Sequence, residues 1–371
     1  MRLIAAGLAV VLAAGCGVST PTGGGTASPA VTATPGGTSG GTPGTPGGTA
    51  SGTAAPAKAA ATQELEAAYE QVIAQVLPSI VQITTKVGLG SGIVFDTAGH
   101  VVTNAHVVGQ ATEMEVSLAT GGTSRKAKLV SSFPAGDLAV IKVENPDGLK
   151  PAVFGDSSKL RVGQLVLAMG NPLGLSGSVT QGIVSALGRT VSEPQNPGSP
   201  GATISGAVQT SAAINPGNSG GALVDMAGQV IGIPTLAATD PELGGGAAPG
   251  IGFAIPSNTA SDIAGQIVQH GKVVNSHRAA LGIRGRTVLG EDGRAVGVAV
   301  ASVEAGGPAA KAGIKSGDVI VSVNGKPTPT MSDLSELLTT LKPGDQVKVE
   351  VIRPDGQSET LAVTLGELQA D

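Results

Sequence analysis

Three short stretches of this 371-residue chain hold side chains that could do acyl-transfer chemistry together. Asn215-Pro216-Gly217-Asn218-Ser219-Gly220-Gly221 sets a serine among small, turn-forming residues, which can present its hydroxyl on a tight turn free of its own backbone. Thr103-Asn104-Ala105-His106-Val107-Val108 supplies a histidine, and Gly136-Asp137-Leu138-Ala139-Val140 an aspartate. Each sits beside an apolar run that a packed sheet can carry to the serine. Such chemistry needs a nucleophile, a base within hydrogen-bond reach, a group orienting that base, and donors for the developing oxyanion. Ser219 is the candidate nucleophile, His106 the base, and Asp137 the group holding the imidazole in its productive tautomer. The backbone N–H groups of Gly217 and Ser219 are the candidate oxyanion donors. Gly217 lets substrate and backbone approach closely, and Pro216 has no N–H to compete.

Each residue also has a plainer reading. A histidine beside valines is more often a packed structural residue, and an aspartate opening an apolar run often only caps a turn. Gly217-x-Ser219-x-Gly221 also satisfies the elbow of α/β-hydrolases, in which an acid and then a histidine follow the serine. His270 and His277 do follow it, but His270 closes a helical pattern and His277 lies between two units. Neither has a strand-end acid ahead of it in a βα-alternating pattern. His100, in a Gly99-His100 turn, is expected to face solvent. The order His, Asp, Ser along a run of short strands favours a β-barrel placement.

The elements that must position these residues follow from periodicity and punctuation. After Thr62, a plausible N-cap, the apolar residues Leu65, Tyr69, Val72, Ile73, Val76 and Leu77 recur at helical spacing until Pro78. From Ile80 to Ile255 short apolar runs are bounded by Gly, Asn, Asp and Pro, the pattern of an all-β barrel or sandwich. Ser257 to His270 reads as a closing helix. After a break near 271–279 a second unit opens on Leu281-Gly282-Ile283, as strand, short helix, strands, helix, strands. Asn324-Gly325 is its tight-turn signal, and Ser332 to Leu341 its second helix, with Leu334, Leu337, Leu338 and Leu341 on one face.

Composition excludes some functions. Hydrophobic residues make up 41% of the sequence and charged ones 13%, enough for packed cores, and the length allows two or three domains. A net charge of −5 with no Trp, one Tyr and four Phe leaves neither a basic footprint nor stacking platforms for nucleic acid. Residues 1–16 read as an export segment: Arg2, an apolar run too short for a span of about 20 residues, then Gly15-Cys16. Leu12-Ala13-Ala14-Gly15-Cys16 resembles a bacterial lipobox, with Ala13 where Leu is usual, so Cys16 is the expected lipidation site and membrane anchor. An ordinary secretory signal with an incidental cysteine is the alternative. Cys16 is the sole cysteine, so there is no intrachain disulfide. Residues 17–61 are almost all Gly, Thr, Pro, Ser and Ala, and read as a disordered tether spanning about 35–40 Å.

Several motifs together resemble the HtrA/Deg serine proteases. They are Gly90-Ser91-Gly92-Ile93, Thr103-Asn104-Ala105-His106-Val107-Val108, Asp137-Leu138-Ala139-Val140 and Leu165-Val166-Leu167-Ala168-Met169-Gly170-Asn171-Pro172. Gln181-Gly182-Ile183-Val184-Ser185-Ala186, Ala212-Ala213-Ile214-Asn215-Pro216-Gly217-Asn218-Ser219-Gly220-Gly221 and Gly250-Ile251-Gly252-Phe253-Ala254-Ile255-Pro256 complete the set. The resemblance implies a mostly β protein: a chymotrypsin-like double β-barrel over 62–272, a linker over 273–279 and one PDZ domain over 280–368. It implies an ATP-independent serine endopeptidase, without metal or organic cofactor, that cuts unfolded or misfolded envelope proteins and is usually a homotrimer. His106, Asp137 and Ser219 match its triad, and Leu281-Gly282-Ile283 falls at its carboxylate-binding loop. An extended C-terminal peptide would add to the strand after that loop, against the helix at 332–341. A unit that only spaces or helps fold the subunits is the alternative there.

By the family resemblance Ala213, six residues before Ser219, is placed at the base of the primary pocket, where no carboxylate would pair Lys or Arg. Cleavage after Val, Ala or Leu is therefore expected. Two positions depart from the family pattern. Ser211 stands where Asp is common, and Thr85-Lys86-Val87-Gly88-Leu89 leaves little room for a long regulatory loop. Two rivals stay open: a peptide-binding holdase with an unused triad, and an esterase using Ser219 without His106.

Overall fold

A computed structural model of the protein describes residues 54–86, 88–171, 177–193, 201–215, 217–240 and 246–369. Residues 1–16 with Cys16, and most of the expected tether, lie outside these. The first element is helix α1, Ala54–Val76. It starts upstream of Thr62, inside the segment expected to be a disordered tether. The alanine-rich run 54–61 has high helix propensity, and Pro56 falls in the first turn, where its missing N–H costs nothing.

Two closed barrels follow. The first holds β1 (Ile80–Thr84), β2 (Leu89–Val94), β3 (His100–Thr103), β4 (Glu113–Leu118), β5 (Arg125–Phe133) and β6 (Leu138–Val143), in the order β1-β2-β3-β6-β5-β4. The second holds β7 (Leu165–Gly170), β8 (Ser178–Glu193), β9 (Ala202–Thr210), β10 (Ala222–Asp225), β11 (Val230–Asp240) and β12 (Gly246–Pro256), in the order β10-β11-β12-β9-β8-β7. Read in the opposite sense, the second order repeats the first. Alternation sets which side chains turn inward: in β4, Met114 and Val116 are buried while Glu113 and Glu115 are exposed. One hydrophobic cluster crosses between the barrels, joining Ile80, Ile93 and Leu138 to Met169, Val224 and Ile233. Val72 and Val76 of α1 join it, as do Ile263 and Ile267 of α2 (Ser257–His270), which Gly271 ends in a left-handed cap at φ 73°.

The C-terminal unit has its own core, with Leu281, Val298, Ile320, Leu334 and Val349 fully or nearly buried. Its main sheet runs β13 (Ile283–Leu289), β14 (Ala295–Val303), β15 (Val319–Val323), β16 (Gln346–Ile352) and β17 (Ser358–Thr364). Two helices cover it: α3 (Pro308–Ala312), and α4 (Met331–Thr339), which opens on a capping box between Thr330 and Asp333. A hairpin precedes the short helix, where a single strand was expected. Asn324 and Gly325 both take positive φ, 53° and 74°, in the tight turn their sequence announces.

A hydrogen-bonded seam fixes the loop carrying Ser219 against the first barrel. Ser91, fully buried on β2, donates its N–H to the Ser219 carbonyl (2.9 Å) and its hydroxyl to the Gly217 carbonyl (2.5 Å). The same hydroxyl accepts from the Asn171 N–H at 2.8 Å, and the Ser91 carbonyl accepts from Thr103 Oγ1 at 2.6 Å. Gly220 sits at φ 80°, and a Cβ there would lie 2.2 Å from the Ser91 carbonyl oxygen and 2.4 Å from Thr103 Oγ1. Left-handed backbone and backbone clash both oppose any side chain. Gly220→Ala is expected to cost roughly 2–5 kcal/mol of stability in chemical denaturation; an unchanged midpoint would mean that the seam yields freely.

Candidate active site

The side chains expected to act together arrive from both barrels. His106 lies on a single helical turn, Ala105–Val108, just after β3. Asp137 caps a 3-10 turn, Pro134–Gly136, between β5 and β6, and takes left-handed backbone at φ 53° and ψ 41°. Ser219 lies on the loop leading into β10. Among the histidines, the structure brings His106 to Asp137. His100, expected in a solvent-facing turn, instead opens β3 with Nδ1 2.6 Å from Asp96 Oδ2. A turn ends where the first ladder pair forms, and His100 pairs with Lys142 of β6.

The His106–Asp137 contact is doubly anchored. Nδ1 of His106 lies 3.0 Å from Oδ1 and 2.9 Å from Oδ2, and the His106 backbone N–H donates to Oδ1 at 3.0 Å. Asp137 is buried, while the His106 side chain keeps 27% of its exposure, enough to meet a substrate. Thr235 donates its hydroxyl to Oδ2 of Asp137, and its carbonyl accepts from the Ser219 hydroxyl at 3.1 Å. Asn104, fully buried, donates Nδ2 to the Asp137 carbonyl at 3.0 Å. Residues on both sides of the interbarrel seam therefore hold Asp137 and Ser219.

The nucleophile loop leaves two donors open. Asn218 N–H is used within the turn, on the Asn215 carbonyl at 3.0 Å. Among the described residues, nothing accepts from the N–H groups of Gly217 and Ser219. Gly217 takes φ 106°, which suits glycine. Ala213 is exposed, while its carbonyl accepts from Thr180 Oγ1 (2.8 Å) and Asn218 Nδ2 (3.3 Å). At the departing position Ser211, Oγ accepts the Ile183 N–H at 3.1 Å, a bond a short hydroxyl makes with the strand β8 backbone.

Sequence reasoning missed Thr235, Ser91 and Asn104 as supports of the site. Thr235 had a signal. The register of β11 against β12 slips between Pro234 and Leu236, so Thr235 is the extra residue of a bulge. A proline inside an apolar strand run marks such a bulge, and a bulge re-aims a side chain.

A second concavity of about 790 Å³ lies between β13 and α4. Leu281, Gly282 and Ile283 line one end of it. The carbonyls of Leu281 and Gly282 accept from the N–H groups of Ala309 and Glu304, both at 2.9 Å. Because trans peptides point C=O and N–H in opposite directions, the N–H groups of Gly282 and Ile283 face away from those partners. Gly282 takes φ 70°, and Leu281 is buried. Pro134 and Ala135, from the turn that Asp137 caps, also line this cavity. The Ala135 carbonyl accepts from Arg278 Nη1 at 2.5 Å, and loss of hydration pushes the Arg278 guanidinium down to about 10.

Comparison with known proteins places these features. A family model described as a trypsin-like peptidase domain matches residues 90–233, and one described as a PDZ domain matches residues 267–365. The periplasmic pH-dependent serine endoprotease DegQ of Escherichia coli is 40% identical over 288 residues, covering 75% of this chain and 59% of that protein. The serine protease PepD of Mycobacterium tuberculosis is 40% identical over 317 residues, covering 81% and 66%. The protein thus spans about three-fifths of the length of the curated relatives it matches. Among solved structures, a serine endoprotease from Yersinia pestis is 33% identical with a TM-score of 0.54, covering 81% of this chain and 98% of that one. The HtrA-type protease AlgW with a tripeptide is 35% identical with a TM-score of 0.54, covering 82% and 98%. A double barrel with His106 held on Asp137, joined to a PDZ unit, fits these relatives: the chain belongs to the HtrA/Deg family of serine proteases.

Proposed function

We propose that this protein is an HtrA-type serine endopeptidase, ATP-independent, that degrades or processes unfolded envelope proteins. The observation that carries the reading is the contact of His106 with both Asp137 oxygens beside an open pair of N–H groups at Gly217 and Ser219. For attack, the Ser219 hydroxyl exchanges the Thr235 carbonyl for Nε2 of His106 and passes its proton there as Oγ bonds the scissile carbonyl carbon. Asp137 stabilises the imidazolium without taking the proton. The N–H groups of Gly217 and Ser219 receive the oxyanion. The imidazolium then protonates the leaving amine, and water, deprotonated by the same imidazole, releases the acyl group from Oγ.

The PDZ unit supports peptide capture. A C-terminal carboxylate would sit on the N–H groups of Gly282 and Ile283, with the peptide added to the β13 edge. The HtrA-type relative AlgW has been solved with a tripeptide and with a decapeptide. Ala213 at the pocket base offers no carboxylate, which favours cleavage after Val, Ala or Leu.

The relatives and the N-terminus support a reading of location and assembly. Several relatives are named periplasmic, and the Leu12–Cys16 sequence favours an outward, lipid-anchored form. Mass spectrometry of the mature N-terminus is expected to find a diacylated Cys16; an unmodified terminus beyond it would refute anchoring. Assembly as a homotrimer is carried over from the family, and sedimentation should return three times the protomer mass rather than one. With an unfolded model protein as substrate, Ser219→Ala and His106→Ala should each lose at least about 10³-fold in activity, and the cut sites should follow Val, Ala or Leu. Cleavage that survives in both variants would defeat the triad, and cuts dominated by Arg or Lys would defeat the pocket assignment.

A further inference from the structure

Three consecutive peptide groups around Ser219 differ in one backbone group from a fully bonded turn. The carbonyl of the Gly217–Asn218 peptide accepts from the Ser91 hydroxyl, and its N–H donates to the Asn215 carbonyl at 3.0 Å. The carbonyl of the Ser219–Gly220 peptide accepts from the Ser91 N–H, and its N–H donates to the Pro234 carbonyl at 3.1 Å. Between them, the Asn218 carbonyl accepts from the Gly221 N–H at 2.9 Å. Only the Ser219 N–H has no acceptor among the described residues. Backbone donors inside a fold are rarely left unpaired, so this one is kept for a ligand atom.

Ser91 is bonded to the peptides on both sides of that donor, to one through its hydroxyl and to the other through its N–H. The hydroxyl is itself aimed, because it accepts the Asn171 N–H at 2.8 Å and so turns its proton to the Gly217 carbonyl. Asn171 is held in turn by Gln82 of β1, whose Nε2 donates to the Asn171 carbonyl at 3.3 Å. All three residues are buried. Gly217, at φ 106° and without a Cβ, sets little steric barrier to rotation of the peptide that follows it. Hydrogen bonds rather than sterics therefore decide where the next N–H points.

We propose that Ser91 is a positioning residue for the oxyanion site, whose hydroxyl sets the rate of acyl transfer by holding the Ser219 N–H on the developing negative charge. The proposal rests on the peptidase reading above. Without the hydroxyl, the Gly217 carbonyl loses its partner, and only the bond from the Asn218 N–H still resists rotation of that peptide. A donor free to turn loses most of its value, because an oxyanion is stabilised by dipoles fixed before the charge appears. The contacts of His106 with Asp137 do not pass through Ser91, so the base keeps its partner. The effect therefore falls on the charge of the transition state and not on substrate binding.

The test compares the full-length protein with its Ser91→Ala and Ser91→Thr forms on a fluorogenic peptide cut after Val. Active sites are counted by end-point labelling of Ser219 with a fluorophosphonate. Ser91→Ala is expected to lower kcat per labelled site about 10- to 100-fold, while KM stays within about threefold. A peptide boronate, whose tetrahedral adduct puts an oxygen on the oxyanion donors, should lose affinity by a similar factor. The limb of the kcat/KM pH profile that reports the base should not move. Ser91→Thr, which keeps the hydroxyl, should return kcat to within about fivefold. A merely structural role would lower the labelled fraction and leave kcat per site unchanged. That result, or a loss carried by KM alone, would overturn the proposal. Should Ser91→Ala give no labelled protein, Ser91→Cys, a weaker donor of similar size, takes its place with an expected fall of about three- to tenfold. No cleavage by the unsubstituted protein, of the peptide or of an unfolded model protein, would remove the peptidase reading and the positioning role with it.

Discussion

The hydroxyl of Ser91 is the junction on which the active-site geometry depends. It lies with no exposure where the two barrels meet, gives its proton to the Gly217 carbonyl and accepts the Asn171 N–H. The backbone of the same residue donates to the Ser219 carbonyl and accepts from Thr103. Moving the nucleophile loop off the first barrel would strand several buried polar groups at once, each at a cost of about 1–3 kcal/mol. Gly220 is the counterpart of this constraint, because only a residue without a side chain fits against the Ser91 carbonyl. Two barrels of the same strand order can pack in many ways; the seam selects the one in which the loop carrying Ser219 is bonded to β2 of the first barrel.

Asp137 shows the same economy. Its left-handed backbone is unfavourable for a residue with a side chain, by about 1–2 kcal/mol. Asn104 holds its carbonyl, His106 and Thr235 hold its carboxylate, and the Pro134–Gly136 turn holds its N–H. That turn is in contact with the PDZ unit through the Arg278–Ala135 hydrogen bond. Asp137 therefore caps a turn that also contacts the C-terminal unit.

Residue types and their order make His106, Asp137 and Ser219 candidates, because each lies at a boundary between a turn and an apolar run, and the family resemblance joins them into one set. The supports are harder to read. Ser91 and Asn104 look like ordinary polar residues in strand and cap positions, and their importance comes from partners 126 and 33 residues away in sequence. Thr235 is concealed in the other way, by a bulge that periodicity alone does not reveal, although Pro234 marks it. The barrel topology is legible mainly through the family resemblance, since short apolar runs bounded by glycine fit a sandwich equally well. The early start of α1 escapes a reading by composition because alanine belongs both to helices and to low-complexity tethers. His100 escapes it because the glycine before it looks like the turn itself.

Thr235 touches Asp137 through its side chain and Ser219 through its backbone. Errors in the positions of Asp137 and Ser219 are therefore correlated rather than independent. A displacement of the β11 bulge releases both together, while small fluctuations elsewhere in either barrel leave their mutual geometry intact. One residue thus ties the two positions together, and losing it would loosen both contacts at once rather than one at a time.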